Sequence, residues 1–244
     1  MRCFKVTIEY DGTDFVGFQY QVEQRSVQNE VERAVETLTG RSARVHGAGR
    51  TDAGVHALGQ VISFACETRI PIERLAVAMN SVLPKDIAAV AAEEVDERFH
   101  ARFSARSRAY VYLILNRAYR SAVYGRYAYH VPQPLDVEAM RAGAKCLLGT
   151  QDFAAWANST DEVLSTTRTV YRCALRRIRS FVLVQVEADA FLRSMVRNIV
   201  GTLLEVGVGK RPPGEIDAIT RSRDRAMAGP SAPARGLCLV RVRY

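Results

Sequence analysis

Residues 49–56 of the chain read GRTDAGVH and place one carboxylate, Asp52, between two glycines. Glycine adopts backbone conformations that other residues avoid, so a loop of this composition can turn sharply and hold a single side chain at its crest. Arg50 stands two residues earlier, where a guanidinium can keep the carboxylate ionised or bind a phosphate. Taken alone, the segment is typical of a plain β-turn in which Asp52 only bonds the backbone.

The loop joins two predicted strands, at 42–48 and 59–66, and an alternating pattern predicts an earlier strand at 2–10. A helix is expected in between, because apolar residues recur there at helical spacing. Ser26 is its predicted N-cap and Gly40 its predicted end. The chain therefore begins in the order strand, helix, strand, strand.

The first half continues with a second helix and with strands at 86–95 and 105–115. An irregular, tyrosine-rich segment at 119–134 follows, and we interpret it as the crossing between two halves. Segregated helices and hairpin-like strands predict an α+β fold with a largely antiparallel sheet rather than a doubly wound parallel one. We expect one half at 1–118 and the other at 119–244.

The second half repeats this mixture of elements. Its predicted elements are a helix at 136–147, strands at 166–178 and 181–189, helices at 191–208 and 212–221, and a last strand at 237–243. The long helix carries Arg193 and Arg197 four residues apart, at the edge of a broad apolar stripe. From that edge the two arginines either reach a cleft or lie as ordinary surface groups.

The chain has 244 residues, a net charge of +8, and 30 arginines against 4 lysines. A planar guanidinium suits phosphates and stacked bases, so this bias favours a nucleic-acid partner. Codon usage or heat adaptation explains the same bias without any partner. The charge alone leaves both interpretations open.

Other classes of function find little support in the sequence. The four histidines and five cysteines show no metal-ligand spacing, so we expect no metal. Neither a Walker A loop nor a dinucleotide-binding glycine motif follows a predicted strand. No apolar run approaches the ~18 residues of a membrane span, and the N-terminus has no apolar signal region. We expect a cytoplasmic protein with no membrane contact.

Two further segments carry chemistry that the sequence leaves open. Tyr110 lies in RSRAYVY, at 106–112, where it can stack on a base or belong to the core. Asp11 and Asp14 lie in a turn similar to the loop of aspartyl-phosphate phosphatases, but Glu9 takes the nucleophile position there. A phosphatase is therefore a weak alternative, and support of the GRTDAGVH loop is the other reading of this turn.

Together, six segments spread over nearly the whole chain resemble one family, the tRNA pseudouridine synthases of the TruA type. The segments are YDGTDFVGFQ at 10–19, GRTDAGVHA at 49–57, FHARFSA at 99–105 with RAY at 108–110, LGTQDF at 148–153, FLRSMVR at 191–197 and APARGL at 232–237. Phe18 departs from the family's usual tryptophan, although an aromatic residue is kept.

The resemblance implies two α+β halves with a continuous mixed sheet flanked by helices, and a catalytic cleft between the halves. It implies a homodimer that binds tRNA and, without a cofactor, isomerises uridines 38, 39 and 40 of the anticodon stem-loop. By position, Asp52 is the catalytic aspartate, Arg50 displaces or holds the target, Tyr110 stacks on the base, Arg197 pairs with Asp52, and Leu237 lines the pocket. A catalytically silent tRNA-binding protein is the alternative.

Overall fold

The computed structural model describes residues 1–158 and 164–244 of the chain. Its contacts separate two compact units, one made of Met1–Arg106 with Cys238–Tyr244 and the other of Ser107–Leu237. Each unit combines a mixed sheet with helices, which confirms the predicted α+β class. The contacts divide the chain after Arg106 and group the C-terminal residues Cys238–Tyr244 with the first unit. The predicted division into halves at 1–118 and 119–244 stays a prediction.

The described residues form ten strands and five α-helices. The strands are β1 Arg2–Tyr10, β2 His46–Gly47, β3 His56–Cys66, β4 Ile87–Val95, β5 Ser107–Asn116, β6 Tyr129–Val131, β7 Gly149–Asp152, β8 Thr167–Ile178, β9 Phe181–Ala188 and β10 Leu237–Arg243. The helices are α1 Val27–Thr39, α2 Ile72–Val82, α3 Val137–Lys145, α4 Met195–Gly207 and α5 Glu215–Ser222.

In the first unit, β1 lies between β4 and β3 and is antiparallel to both. The C-terminal strand β10 joins the other side of β3 in parallel, with Cys238 opposite His56. This parallel strand makes an otherwise antiparallel sheet a mixed one. It also brings the end of the chain to the first residues of β3, which directly follow the GRTDAGVH turn.

Helix α1 has the bounds that the sequence predicts. The Ser26 hydroxyl accepts a hydrogen bond from the amide of Asn29 at 3.2 Å, which satisfies one of the first unpaired helical donors. The helix ends at Gly40, whose φ of 70° is the left-handed conformation that glycine adopts without strain. Local residue chemistry therefore determines both ends of this element.

The strand predicted at 42–48 is only two residues long in the structure, β2. Side chains of α1 bind the backbone of Val45. The side chain of Gln28 donates to the Val45 carbonyl at 3.0 Å, and the backbone amide of Val45 donates to the Glu32 carboxylate at 3.0 Å. Those backbone groups are therefore used by side chains of a helix, and a longer ladder with β3 does not form.

In the second unit, the strand order is β5, β9, β8 and β7, and β6 lies parallel to β5. One face of β9 is fully buried, with Val182, Val184 and Val186 at 0% exposure, and α3 packs on β8 and on α4. The opposite face exposes half-buried apolar side chains, among them Phe181 and Leu183. The unit therefore has one sheet face covered by its own helices and one that is not.

The long helix of the second unit begins later than the predicted 191. Ser194 has a φ of 60°, the left-handed conformation, and α4 starts at Met195. The carbonyl of Arg193 accepts a hydrogen bond from the amide of Asn158 at 3.1 Å, which holds this residue outside the helix. The prediction that Arg193 and Arg197 share one helix edge is therefore wrong.

Candidate active site

Asp52 lies in the loop between β2 and β3, residues 48–55, which we call the Asp52 loop. The carbonyl of Asp52 accepts a hydrogen bond from the amide of Val55 at 3.1 Å, and Gly54 has a φ of 76°. This is a β-turn that needs a glycine at its third position. The turn predicted from the sequence is therefore present, and Asp52 is its first residue, with a partly exposed side chain.

A second segment, residues 12–18, supports the Asp52 loop from behind. Gly17 forms an isolated antiparallel bridge with Asp52, and the amide of Phe18 donates to the carbonyl of Thr51 at 3.0 Å. Gly17 has a φ of 123°, and a Cβ there would lie 2.8 Å from the Thr51 carbonyl oxygen. Only glycine allows this backbone to approach so closely, so the position of Asp52 depends on Gly17.

Buried polar side chains bind both sides of the Asp52 loop. The Tyr10 hydroxyl and the Thr51 hydroxyl are 2.9 Å apart, and Gln60 donates to the carbonyl of Gly49 at 2.7 Å. Burial raises the pKa of Tyr10 above its ordinary value, which keeps this hydroxyl protonated and able to donate. Because the residues on either side are fixed, Asp52 is held on a preorganised backbone.

Asp11 is bonded within its own turn and lies next to the first residue of β3. One of its carboxylate oxygens accepts from the amide of Thr13 at 3.0 Å and from the Thr13 hydroxyl at 2.5 Å. The same oxygen lies 3.1 Å from Nδ1 of His56, and that nitrogen accepts from the amide of Gly12 at 3.0 Å. The acidic turn is thus bonded to the first residue of β3.

Arg50 is exposed and precedes Asp52 on the same loop. Of the five residues predicted for the site, these two lie in the first unit, two positions apart on the Asp52 loop. The other three lie in the second unit: Tyr110 on β5, Arg197 on α4 and Leu237 at the start of β10.

Tyr110 is 7% exposed and meets Phe191 edge to face, with ring centroids 5.2 Å apart at 89°. Its neighbour on the same strand face, Tyr112, is fully buried and donates its hydroxyl to the carbonyl of Pro233 at 2.7 Å. The two tyrosines of the RSRAYVY segment therefore differ. Both are buried in the core, but the Tyr110 ring packs edge to face against another aromatic side chain, which sets its orientation.

Arg197 lies in the first turn of α4, where a cation is electrostatically unfavourable because the amides there already carry partial positive charge. Its Nε donates to the carbonyl of Ala232 at 2.8 Å, and the amide of Ala232 donates back to the carbonyl of Arg197 at 3.0 Å. This pair of bonds ties the helix to the APARGL segment, which ends at the buried Leu237.

The residue after Arg197, Asn198, belongs to a polar network that the sequence pattern does not predict. The side chain of Asn198 donates to the carbonyl of Trp156 at 2.7 Å and accepts from Arg225 at 3.0 Å. Arg225 also donates to the carbonyl of Gly229 at 3.0 Å, which holds the segment that leads to Ala232. Asn198 is fully buried on the apolar side of the helix, and a polar residue at such a position is the sequence signal for this network.

Two features are absent from the part of the chain that the structure describes. Within 1–158 and 164–244, no cluster of three or more histidine, cysteine, aspartate or glutamate side chains is arranged to hold a metal ion. Nor does any helix in those residues have the length and apolar character needed to cross a membrane.

Comparison with known proteins gives one consistent result. The family model described as tRNA pseudouridine synthase matches residues 6–104 and 144–244. A relative from Thermoanaerobacter sp. (strain X514) named tRNA pseudouridine synthase A is 44% identical over 244 residues, and both chains are covered completely. A relative of the same name from Moorella thermoacetica is 47% identical over 246 residues, again with complete coverage.

A solved structure described as a Cbf5-Nop10-Gar1 complex aligns with 96% of this chain and 57% of that chain, at 14% identity and a TM-score of 0.37. That likeness is too weak to carry a conclusion, whereas the sequence relatives match the chain from end to end. The chain therefore belongs to the tRNA pseudouridine synthase family, whose members are isomerases that act on tRNA.

Proposed function

We propose that this chain isomerises uridines 38, 39 and 40 of the tRNA anticodon stem-loop to pseudouridine, with Asp52 as the catalytic carboxylate. The observation that carries the assignment of Asp52 is its place in a turn held by Gly17, Thr51 and Gln60. A carboxylate on a backbone fixed in this way needs no further ordering of that backbone before it reacts. A tRNA-modifying enzyme works where tRNA is, so we place it in the cytoplasm.

The reaction fits a site with one carboxylate and no cofactor. The N1–C1′ bond of uridine breaks, the uracil turns, a C5–C1′ bond forms, and the proton on C5 leaves to water while N1 gains one. Atoms and electrons balance without an oxidant or hydrolysis. Asp52 serves as nucleophile or base in this sequence, and a cation that keeps it ionised promotes either role.

The substrate must also leave its stack, which costs a few kcal/mol. We assign Arg50, exposed beside the carboxylate, to displace or hold the target nucleotide. We assign Tyr110 to stacking on the base, Arg197 to supplying a positive charge and Leu237 to an apolar wall of the pocket. The fixed ring of Tyr110 and the tethered guanidinium of Arg197 support these roles.

The test of the proposed target is a map of pseudouridine in defined RNA. Transcripts of one tRNA would carry uridine at only one of positions 38, 39 or 40, and a fourth would carry cytidine at all three. We expect pseudouridine in the first three and none in the fourth. Modification at another position would contradict the target, and tRNA binding without any pseudouridine would favour the silent binding protein.

We further propose that the enzyme is a homodimer. The second unit leaves one face of its sheet without a helical layer, and Leu113 on β5 pairs with Leu183 on β9 on that face. Ile178 lies there opposite Phe181 and is 42% exposed. These apolar side chains share the face with Arg176, which lies opposite Leu183, and together they form a surface that a second copy can cover.

A further inference from the structure

Three aromatic rings lie in a row on the first unit, away from the residues assigned to catalysis. The ring of His100 is 4.6 Å from that of His46 and 4.5 Å from that of Phe103, at interplanar angles of 35° and 38°. We call these three side chains the Phe103 stack. Phe103 is 77% exposed, so its ring contributes little to the core.

The turn that carries Phe103 is closed by its own hydrogen bonds. The amide of His100 donates to the Ser104 hydroxyl at 3.1 Å, and the amide of Ser104 donates to the carbonyl of His100 at 2.9 Å. Nδ1 of His100 accepts from the amide of Arg102 at 3.1 Å and from that of Phe103 at 3.4 Å. The exposed phenylalanine is therefore presented on a preorganised backbone, which lowers the entropy cost of binding.

The same turn is fixed to the sheet by Ala101, which is fully buried. The amide of Ala101 donates to the hydroxyl of Ser63 on β3 at 3.0 Å, and the carbonyl of Ala101 accepts from the Tyr244 hydroxyl at 2.9 Å. Ala101 also packs with Ala48, the first residue of the Asp52 loop, in one small apolar cluster. The Phe103 stack and the Asp52 loop therefore share one support.

The electrostatics of the Phe103 stack suit a nucleotide. Because Nδ1 of His100 accepts from the backbone, its imidazole is the neutral tautomer with the proton on Nε2. Burial and the neighbouring His46 lower the pKa of His100 below its ordinary value, which favours the same neutral form. The guanidinium of Arg102 lies 5.5 Å from the centroid of the Phe103 ring. Arg102 thus lies over a ring that is still largely exposed to solvent, and an exposed aromatic ring paired with a cation is an arrangement that binds unpaired bases and their phosphates.

We propose that the Phe103 stack is a second RNA contact, at which an unpaired base of the tRNA stacks on Phe103 while its phosphate meets Arg102. The inference rests on the proposed tRNA substrate and adds a place where that substrate is held. Because the stack and the Asp52 loop share a support, RNA held at Phe103 lies in a fixed register with the catalytic carboxylate. The net charge of +8 complements the phosphate backbone of such a partner.

The test compares Phe103→Ala, Phe103→Trp and the control Val77→Ala, which removes an equally exposed apolar side chain from α2. The probe is one tRNA transcript with a single target uridine, and the readouts are Kd, KM and the single-turnover rate at saturating enzyme. Loss of one base stack raises Kd about 5- to 150-fold. We expect that rise, with a matching rise in KM, for Phe103→Ala only, and near wild-type affinity for Phe103→Trp.

Two results would contradict the proposed RNA contact. A Kd for Phe103→Ala within twofold of wild type would show that no base stacks there. A change in sedimentation without a change in Kd would make the patch a protein interface instead. Absence of pseudouridine with the wild-type enzyme would refute the proposed function, and the Kd comparison would still decide the RNA contact independently.

Discussion

Asp52 carries the proposed chemistry, but Gly17 determines where its backbone lies. Gly17 has a left-handed φ of 123° and no room for a Cβ against the Thr51 carbonyl. Gly214 makes a useful contrast, since a Cβ there meets nothing within 4 Å. The same alanine substitution therefore tests strain at one position and open space at the other.

We predict that Gly17→Ala lowers the free energy of unfolding by roughly 1–3 kcal/mol, the usual cost of a strained backbone conformation. It should also lower kcat, because relief of the clash moves the Asp52 loop. Gly214→Ala should change neither quantity measurably. Chemical denaturation and steady-state turnover supply the two readouts, and wild-type kcat in folded Gly17→Ala would argue against the need for this close approach.

Arg50 is predicted to act before the chemistry, by filling the space that the target nucleotide leaves. Arg50→Ala should therefore slow turnover more on a target uridine stacked in a helix than on the same uridine in an unpaired segment. Single-turnover rates on the two RNAs give the comparison, with wild type measured on both. Equal losses on both RNAs would show that Arg50 does not assist displacement.

At the scale of elements, α1 and α4 show what the sequence can predict. The bounds of α1 follow from a cap, an apolar period and a terminal glycine, which are all local. The start of α4 depends on Ser194 and on a bond from Asn158 to Arg193, and such distant contacts are invisible in a periodic pattern. Local signals therefore predict most elements. The exceptions, β2 and the start of α4, are those whose backbone groups bond to residues distant in sequence.

The network of Asn198 connects α4 to the segment that contains Ala232, because Arg225 donates to the Asn198 side chain. The Ala232 carbonyl in turn accepts from Arg197. Asn198→Leu leaves the Trp156 carbonyl and Arg225 without this partner, and we expect a loss of roughly 1–3 kcal/mol in unfolding free energy. It should also lower kcat at temperatures where the protein stays folded.

Ile199→Val is the matched control for Asn198→Leu, because it removes one buried methyl group from the same helix and costs about 0.5–1.5 kcal/mol. It should leave kcat at the wild-type level. If both variants lose activity in proportion to stability, Asn198 has only a structural role and does not position Arg197.

The whole molecule joins residues that are far apart in sequence, and this part was the hardest to predict. The α+β class follows from the order of strands and helices, and the site residues came from the resemblance of six segments. The return of β10 to β3 in the first unit has no local signature, because the pairing of Cys238 with His56 spans most of the chain. The contacts divide the chain after Arg106, and the division at 118 stays a prediction.

The proposed homodimer is a prediction at this scale. A charge on the uncovered sheet face costs far more when a second copy buries it than when water surrounds it. Ile178→Glu should therefore convert the dimer to a monomer, whereas Val77→Glu, at an exposed position of the first unit, should leave it intact. Light scattering after gel filtration measures the molar mass of each variant in solution. A monomeric wild type, or a dimeric Ile178→Glu, would be incompatible with this interface.

The central claim, that Asp52 is the catalytic carboxylate of uridine isomerisation, is tested most directly by tritium release from tRNA that carries 5-tritiated uridine. The C5 hydrogen is lost only when the new carbon–carbon bond forms. Wild type should release tritium from the target uridine. Asp52→Asn should release it at least about 100-fold more slowly while it keeps wild-type stability and tRNA affinity. Near wild-type release by folded Asp52→Asn would contradict the account.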